Sequence, residues 1–219
     1  MRFKIDLKIF LFLIIFYFTK QIHIYALIMI FAFIHELGHL LAGILCGMRP
    51  EKLEIKPYGV SVSFKLFPKD YNIKIGKSNK LEVKKILVAL AGPVTNLLII
   101  IVSPNLPLEF FKKLMIIYSN ILITIFNLIP IYPLDGGRIT KSILNITFGK
   151  RKAEKYINNI SFITLILITF ISSILIYVFE NIAIFLIVIV LWIMYIVEDI
   201  KYKRKLEIYK LLEKSIENN

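Results

Sequence analysis

His35, Glu36 and His39 form an H-E-x-x-H pattern, and residues of these types at this spacing can carry out metal-assisted hydrolysis. On a helix, positions four apart share a face, so both imidazoles can turn a nitrogen to one ion while Glu36 stands beside them as a base. The pattern lies inside an apolar stretch from about Ile22 to Leu45, long enough to cross a bilayer. An acidic side chain at the centre of such a helix costs about 2.5–3.5 kcal/mol, so groups of this kind at depth point to function. His23, alone on an apolar face, reads instead as a helix-packing partner.

The elements that hold these residues follow from composition. With 58% hydrophobic residues and a mean hydropathy of +0.74, the chain reads as an integral membrane protein. Apolar runs fall at Lys4–Phe18, Ile22–Leu45, Ile86–Val102, Leu114–Ile129, Tyr156–Phe179 and Ile182–Val197. The expected fold is therefore an all-α polytopic membrane protein of about six transmembrane helices. The first run follows Arg2, Lys4 and Lys8 as a signal peptide would, but Thr19-Lys20-Gln21-Ile22 offers no small-residue cleavage site, so it reads as an uncleaved span. Only Glu180-Asn181 separates the last two runs, which suits a tight turn or a bend in one long helix.

A net charge of +13 would suggest nucleic acid in a soluble protein, but its distribution argues otherwise. Of 28 basic residues, 25 fall in the N-terminus, in Arg49–Lys85, in Arg138–Lys155 and in the tail from Lys201, which six spans place on one side. Lys20, Lys112 and Lys113 fall on the other. The positive-inside rule then puts the protein in the cell membrane with both termini cytoplasmic, and the excess charge suits anionic lipid headgroups better than nucleic acid. The single Cys46 allows no intrachain disulfide and reads as a small apolar residue at a helix end.

Zinc in a hydrolase takes three protein ligands and one water, so the histidine pair needs a partner. Glu51, Glu54, Asp70 and Glu82 lie in a polar loop, which leaves Asp135 at the cytoplasmic end of the fourth span. Pro130, Pro133, Gly136 and Gly137 break the helix there, and irregular backbone at membrane depth is tolerated when it lines a wet cavity or is buried in protein. An ordinary Asp-Gly-Gly turn is the other reading. In Ala91-Gly92-Pro93-Val94-Thr95-Asn96 the Gly-Pro pair predicts a helix break and close backbone approach, while Asn96 brings an amide into an apolar setting. By itself, that stretch would mean helix packing.

Together, His35 to His39, Ala91 to Asn96 and Asn127 through Pro133-Leu134-Asp135-Gly136-Gly137-Arg138 resemble the site-2 protease family of intramembrane zinc metalloproteases. The short first span, the Gly47-Met48 helix exit and Ile55-Lys56-Pro57-Tyr58-Gly59 are most similar to the stage IV sporulation protein FB group, without its C-terminal CBS domain. The resemblance implies Zn²⁺ held by His35, His39 and Asp135, with Glu36 as catalytic base. It implies Asn96 and Asn127 as polar groups near the substrate backbone or the oxyanion, a structural hydrogen-bonding role being the alternative. It further implies a membrane-tethered protein substrate, such as a pro-sigma or anti-sigma factor, and inhibitory membrane proteins as partners. A catalytically silent scaffold for transmembrane partners is the competing reading. An ion or proton relay is a third, though it has no need of an H-E-x-x-H followed by a distant Leu-Asp-Gly-Gly.

Leu53-Glu54-Ile55 and Val60-Ser61-Val62-Ser63-Phe64 alternate in polarity around Pro57-Tyr58-Gly59 and read as a hairpin at the membrane edge. Such an edge either takes a substrate as an added strand or caps the site. Residues 1–198 form the expected transmembrane protease domain. Residues 199–219 form a short basic tail with Leu206, Tyr209, Leu212 and Ile216 on one face of an amphipathic helix.

Overall fold

The computed structural model describes residues 2–5, 17–18, 22–56, 59–65, 75–179 and 182–217. The chain divides into two compact units, Met1–Leu128 and Ile129–Asn219.

The first unit carries strand β1 (Arg2–Ile5), helix α1 (Ile22–Leu45), strands β2 (Arg49–Lys56) and β3 (Gly59–Lys65), and helices α2 (Ile75–Val102) and α3 (Phe110–Leu128). A single 3₁₀ turn, Ser103–Asn105, links the last two helices. The expected hairpin is present: β2 and β3 pair antiparallel, with Leu53 opposite Val62 and Ile55 opposite Val60. The bridging residues 57–58 lie outside the described residues.

One expectation is corrected at the N-terminus. Lys4 does not open a membrane span: Arg2–Ile5 is a strand that pairs in parallel with Lys52–Ile55, giving a three-stranded sheet in the order β1-β2-β3. The edge of β2 otherwise presents unpaired backbone groups, and β1 supplies their partners. The rest of the expected first span, apart from residues 17–18, lies outside the described residues.

Helix α1 packs on the sheet through Gly43, whose missing side chain leaves room for the Phe64 ring. It packs on α2 through Gly38, where an added Cβ would meet Thr95 and the Ala91 carbonyl. Helix α2 is also longer than the apolar run that predicts it and continues through Pro93 without interruption, against the expected break at Gly92-Pro93. A proline only removes one N–H, to the Ala89 carbonyl in this case, and helix packing on both sides can hold the remaining turns in line.

The second unit contains α4 (Asp135–Phe148), α5 (Lys150–Phe179) and α6 (Ile182–Glu217). Composition did not indicate α4, because Gly136-Gly137 reads as a turn. Asp135 in its first turn suits the positive end of a helix dipole, and Gly137 lies where a Cβ would strike the Ile131–Tyr132 backbone. Gly149 ends the helix at φ 78°, a conformation that favours glycine. Helices α5 and α6 run antiparallel, joined by Asn158 to Asp199 at 3.0 Å and Trp192 to Thr169 at 3.1 Å. The 198/199 boundary falls inside one continuous helix, while the side chains of Tyr209, Leu212 and Ile216 lie outside the described residues.

Four helices among the described residues are long and apolar enough to cross a membrane: Tyr25–Leu45, Asn79–Asn105, Phe110–Leu128 and Lys150–Val178. Leu41, Ile101, Phe111 and Phe170 are exposed on them, as lipid-facing side chains would be.

Candidate metal centre

His35, Glu36 and His39 are only 4%, 7% and 2% exposed, so α1 encloses three titratable groups within five residues. The Nε2 atoms of His35 and His39 approach to 3.1 Å. The Nδ1 of His39 lies 2.6 Å from the Val88 carbonyl of α2, which can only accept, so this nitrogen carries the ring proton. The Gly92 N–H lies farther from the same nitrogen, at 3.3 Å, and bonds to it weakly at most. With its proton on Nδ1, neutral His39 presents an Nε2 lone pair toward His35. Two imidazole nitrogens converging in this way suit a shared cation, and a carbonyl that fixes the tautomer is the usual outer support of a metal-bound histidine.

Gly92 makes this arrangement possible. A Cβ there would collide with the His39 ring and reach the His35 Nε2, so the small residue in Ala91-Gly92-Pro93 shapes the space around both ligand atoms. Sequence reasoning anticipated close backbone approach at this glycine but had no means of naming its neighbour. Neither the Val88 carbonyl nor the next contact leaves a sequence signal, because both are backbone groups: the N–H of Val62 in β3 donates to Glu36 Oε1. The edge strand of the sheet is therefore anchored to the expected base.

Asn96, one turn beyond Gly92 on α2, is fully buried, and its Oδ1 and Nδ2 have no hydrogen-bond partner among the described residues. Leaving a buried polar group unmatched costs about 1–3 kcal/mol. Asn127 differs: its Nδ2 donates to the Ile123 carbonyl at 3.0 Å, one turn back on α3.

In the second unit, Asp135 is 4% exposed and opens α4, with Arg138 Nη1 3.5 Å from its carboxylate. A guanidinium at that distance offsets part of the cost of enclosing the charge. The Leu134 N–H donates to Ile131 at 2.8 Å, closing the turn that leads into Asp135. Two imidazoles and one carboxylate make a donor set suited to a catalytic zinc.

A membrane-length helix with two enclosed imidazoles and an adjacent glutamate is an arrangement suited to metal-dependent hydrolysis in or at a bilayer. The family model of Peptidase family M50 matches residues 23–106 and 103–171, and the chain belongs to that family of site-2-type zinc metalloproteases. It is similar to the zinc metalloprotease MJ0392 of Methanocaldococcus jannaschii, at 30% identity over 63% of this chain and 39% of that protein. It is also similar to sll0528 of Synechocystis, at 30% identity over 54% of this chain and 30% of that protein. The alignments thus span well under half of either relative's length. The solved structure of the site-2 protease from Methanocaldococcus jannaschii has the same fold, with a TM-score of 0.62, 22% identity and coverage of 90% of this chain and 89% of that one.

Proposed function

We propose that the chain is an intramembrane zinc endopeptidase that hydrolyses a peptide bond in or near a transmembrane segment of a membrane-tethered protein. The convergence of the His35 and His39 Nε2 atoms, with the His39 tautomer fixed by Val88, carries this reading. Asp135 supplies the third ligand in this reading, its enclosed carboxylate completing a donor set suited to zinc. When bound, zinc would acidify a water and polarise the scissile carbonyl. Glu36 takes up the proton of the attacking water and passes it to the leaving amine. Asn96, whose amide has no hydrogen-bond partner among the described residues, is the group this reading assigns to hydrogen-bond substrate. Asn127, held to its own helix, supports from a second position.

A helical substrate hides its peptide bonds, so it must unwind before water can attack. The edge of β3 offers main-chain partners for the opened strand. The charge distribution supports cytoplasmic termini, and the Gly47-Met48 helix exit and the Ile55–Gly59 segment favour the stage IV sporulation protein FB group, with regulated release of a tethered transcription factor as its task.

The test is Glu36→Gln against wild type, co-expressed with tethered sigma and anti-sigma factors. The variant is expected to bind zinc as wild type does and to lose about 10²–10⁴-fold in cleavage. Undiminished cleavage by a folded, zinc-loaded variant would assign the base elsewhere.

A further inference from the structure

The second unit also holds a cavity of about 240 Å³ between the early turns of α5 and the middle turns of α6. Its walls include Tyr132, Lys141, Glu154, Lys201, Tyr202 and Lys205. The ammonium groups of Lys141 and Lys205 lie 3.7 and 2.9 Å from the same oxygen of Glu154, a carboxylate that is only 9% exposed. Lys141 also sits over the Tyr132 ring, 4.4 Å from its centroid. Glu154 thus draws cations from α4 and α6 onto one wall. Lys201 pairs with Glu198 at the rim. Three lysines against Glu154 and Glu198 leave the lining with one positive charge in excess.

The depth of the cavity indicates what that charge faces. Phe162, Trp192 and Tyr195 form an edge-packed aromatic cluster, and Trp192 donates its indole N–H to Thr169. Tryptophan and tyrosine collect where hydrocarbon gives way to headgroups. Tyr195 belongs to both the cluster and the cavity wall, and Glu198, Lys201, Tyr202 and Lys205 follow over the next three turns of α6. The cavity therefore sits at headgroup level, beside the basic start of α5 at Lys150, Arg151 and Lys152. Its size is below the roughly 300–1,000 Å³ of pockets for drug-sized molecules, which suits a small polar group.

We propose that this cavity binds the phosphodiester headgroup of an anionic membrane lipid. Basic pockets between helices at this level are suited to such headgroups, and one negative charge brings the lining to neutrality. Tyr202 adds a phenol that burial and the nearby Glu154 and Asp199 carboxylates keep protonated, hence a donor. The lining also reaches the loop that leads to Asp135, since the Tyr132 N–H donates to Ser161 at 3.1 Å in the same cavity.

The experiment titrates the full chain in neutral detergent with short-chain phosphatidylglycerol, phosphatidylcholine or glycerol phosphate, read by native mass spectrometry and thermal unfolding. Phosphatidylglycerol is expected to bind saturably and raise Tm, with phosphatidylcholine inert at the same concentration. Lys141→Gln and Lys205→Gln should each weaken phosphatidylglycerol binding roughly fivefold. Lys201→Gln, at a side chain 59% exposed, tests the same charge without disturbing packing. Equal binding of the two lipids, or unchanged phosphatidylglycerol binding in Lys201→Gln and in whichever of the other variants fold, overturns the proposal. Saturable, lysine-dependent binding of glycerol phosphate with no gain from acyl chains overturns the lipid source and assigns the cavity to soluble phosphate esters. Binding is expected unchanged in Glu36→Gln, so the outcome does not depend on the protease reading.

Discussion

Asn96 is enclosed in α2, and neither atom of its amide finds a partner among the described residues. Replacing it should therefore separate stability from chemistry. Asn96→Ala removes an unmatched polar group, so thermal stability is expected to hold or rise, whereas loss of an oxyanion-type donor should lower cleavage by about 10²–10³-fold. Parallel loss of Tm and activity would instead make it a packing residue. Gly92 gives a second contrast. Gly92→Ala puts a Cβ into the His39 ring, and zinc content by mass spectrometry is expected to fall together with activity while the helix itself gains propensity. Normal zinc loading in that variant would show that the ligand rings have room to move. These two residues also show what the sequence makes legible. His35, Glu36 and His39 announce themselves because charged and imidazole groups are costly in an apolar helix. The Val88 carbonyl and the Val62 N–H do not, because every residue carries those groups and only the fold selects which ones matter.

The strands and helices differ in how openly they are written. Alternation identified β2 and β3, and apolar length identified α1 at both ends and α2, α3 and α5 near their C-terminal ends, while their polar first turns went unmarked. Strand β1 escaped because its four residues merge into an apolar run that begins at Lys4 and owe their conformation to the distant edge of β2. Helix α4 escaped because paired glycines, weak helix formers, are tolerated at a first turn where Gly137 must sit against backbone. The hairpin permits a test at adjacent positions of β3. The Val62 N–H points at Glu36, so in an alternating strand the Ser63 N–H faces β2. Val62→Pro is expected to keep the hairpin and impair cleavage, whereas Ser63→Pro should disrupt the hairpin itself, as limited proteolysis would register. Full activity in Val62→Pro would remove β3 from the reaction.

Across the whole chain, the basic residues read as a topological code, and Cys46 offers a native probe of it. As the only cysteine, partly exposed just beyond the end of α1, it is expected to react with a membrane-impermeant maleimide in inverted vesicles and not in intact cells. A cysteine placed at Lys112 in a Cys46→Ser background should show the reverse pattern. Labelling of both from the same side would overturn the orientation proposed from the charge distribution.

The hydrogen bond from His39 to Val88 has a consequence that reaches beyond one side chain. The acceptor belongs to a neighbouring helix, so the location of a single proton depends on how two helices are seated. A slip of one residue along α2, about 1.5 Å, would withdraw the carbonyl and release the imidazole to its other tautomer. Metal affinity then becomes a gauge of helix seating: thinning the bilayer or loosening the α1–α2 contact at Gly38 should leach zinc before any helix unfolds.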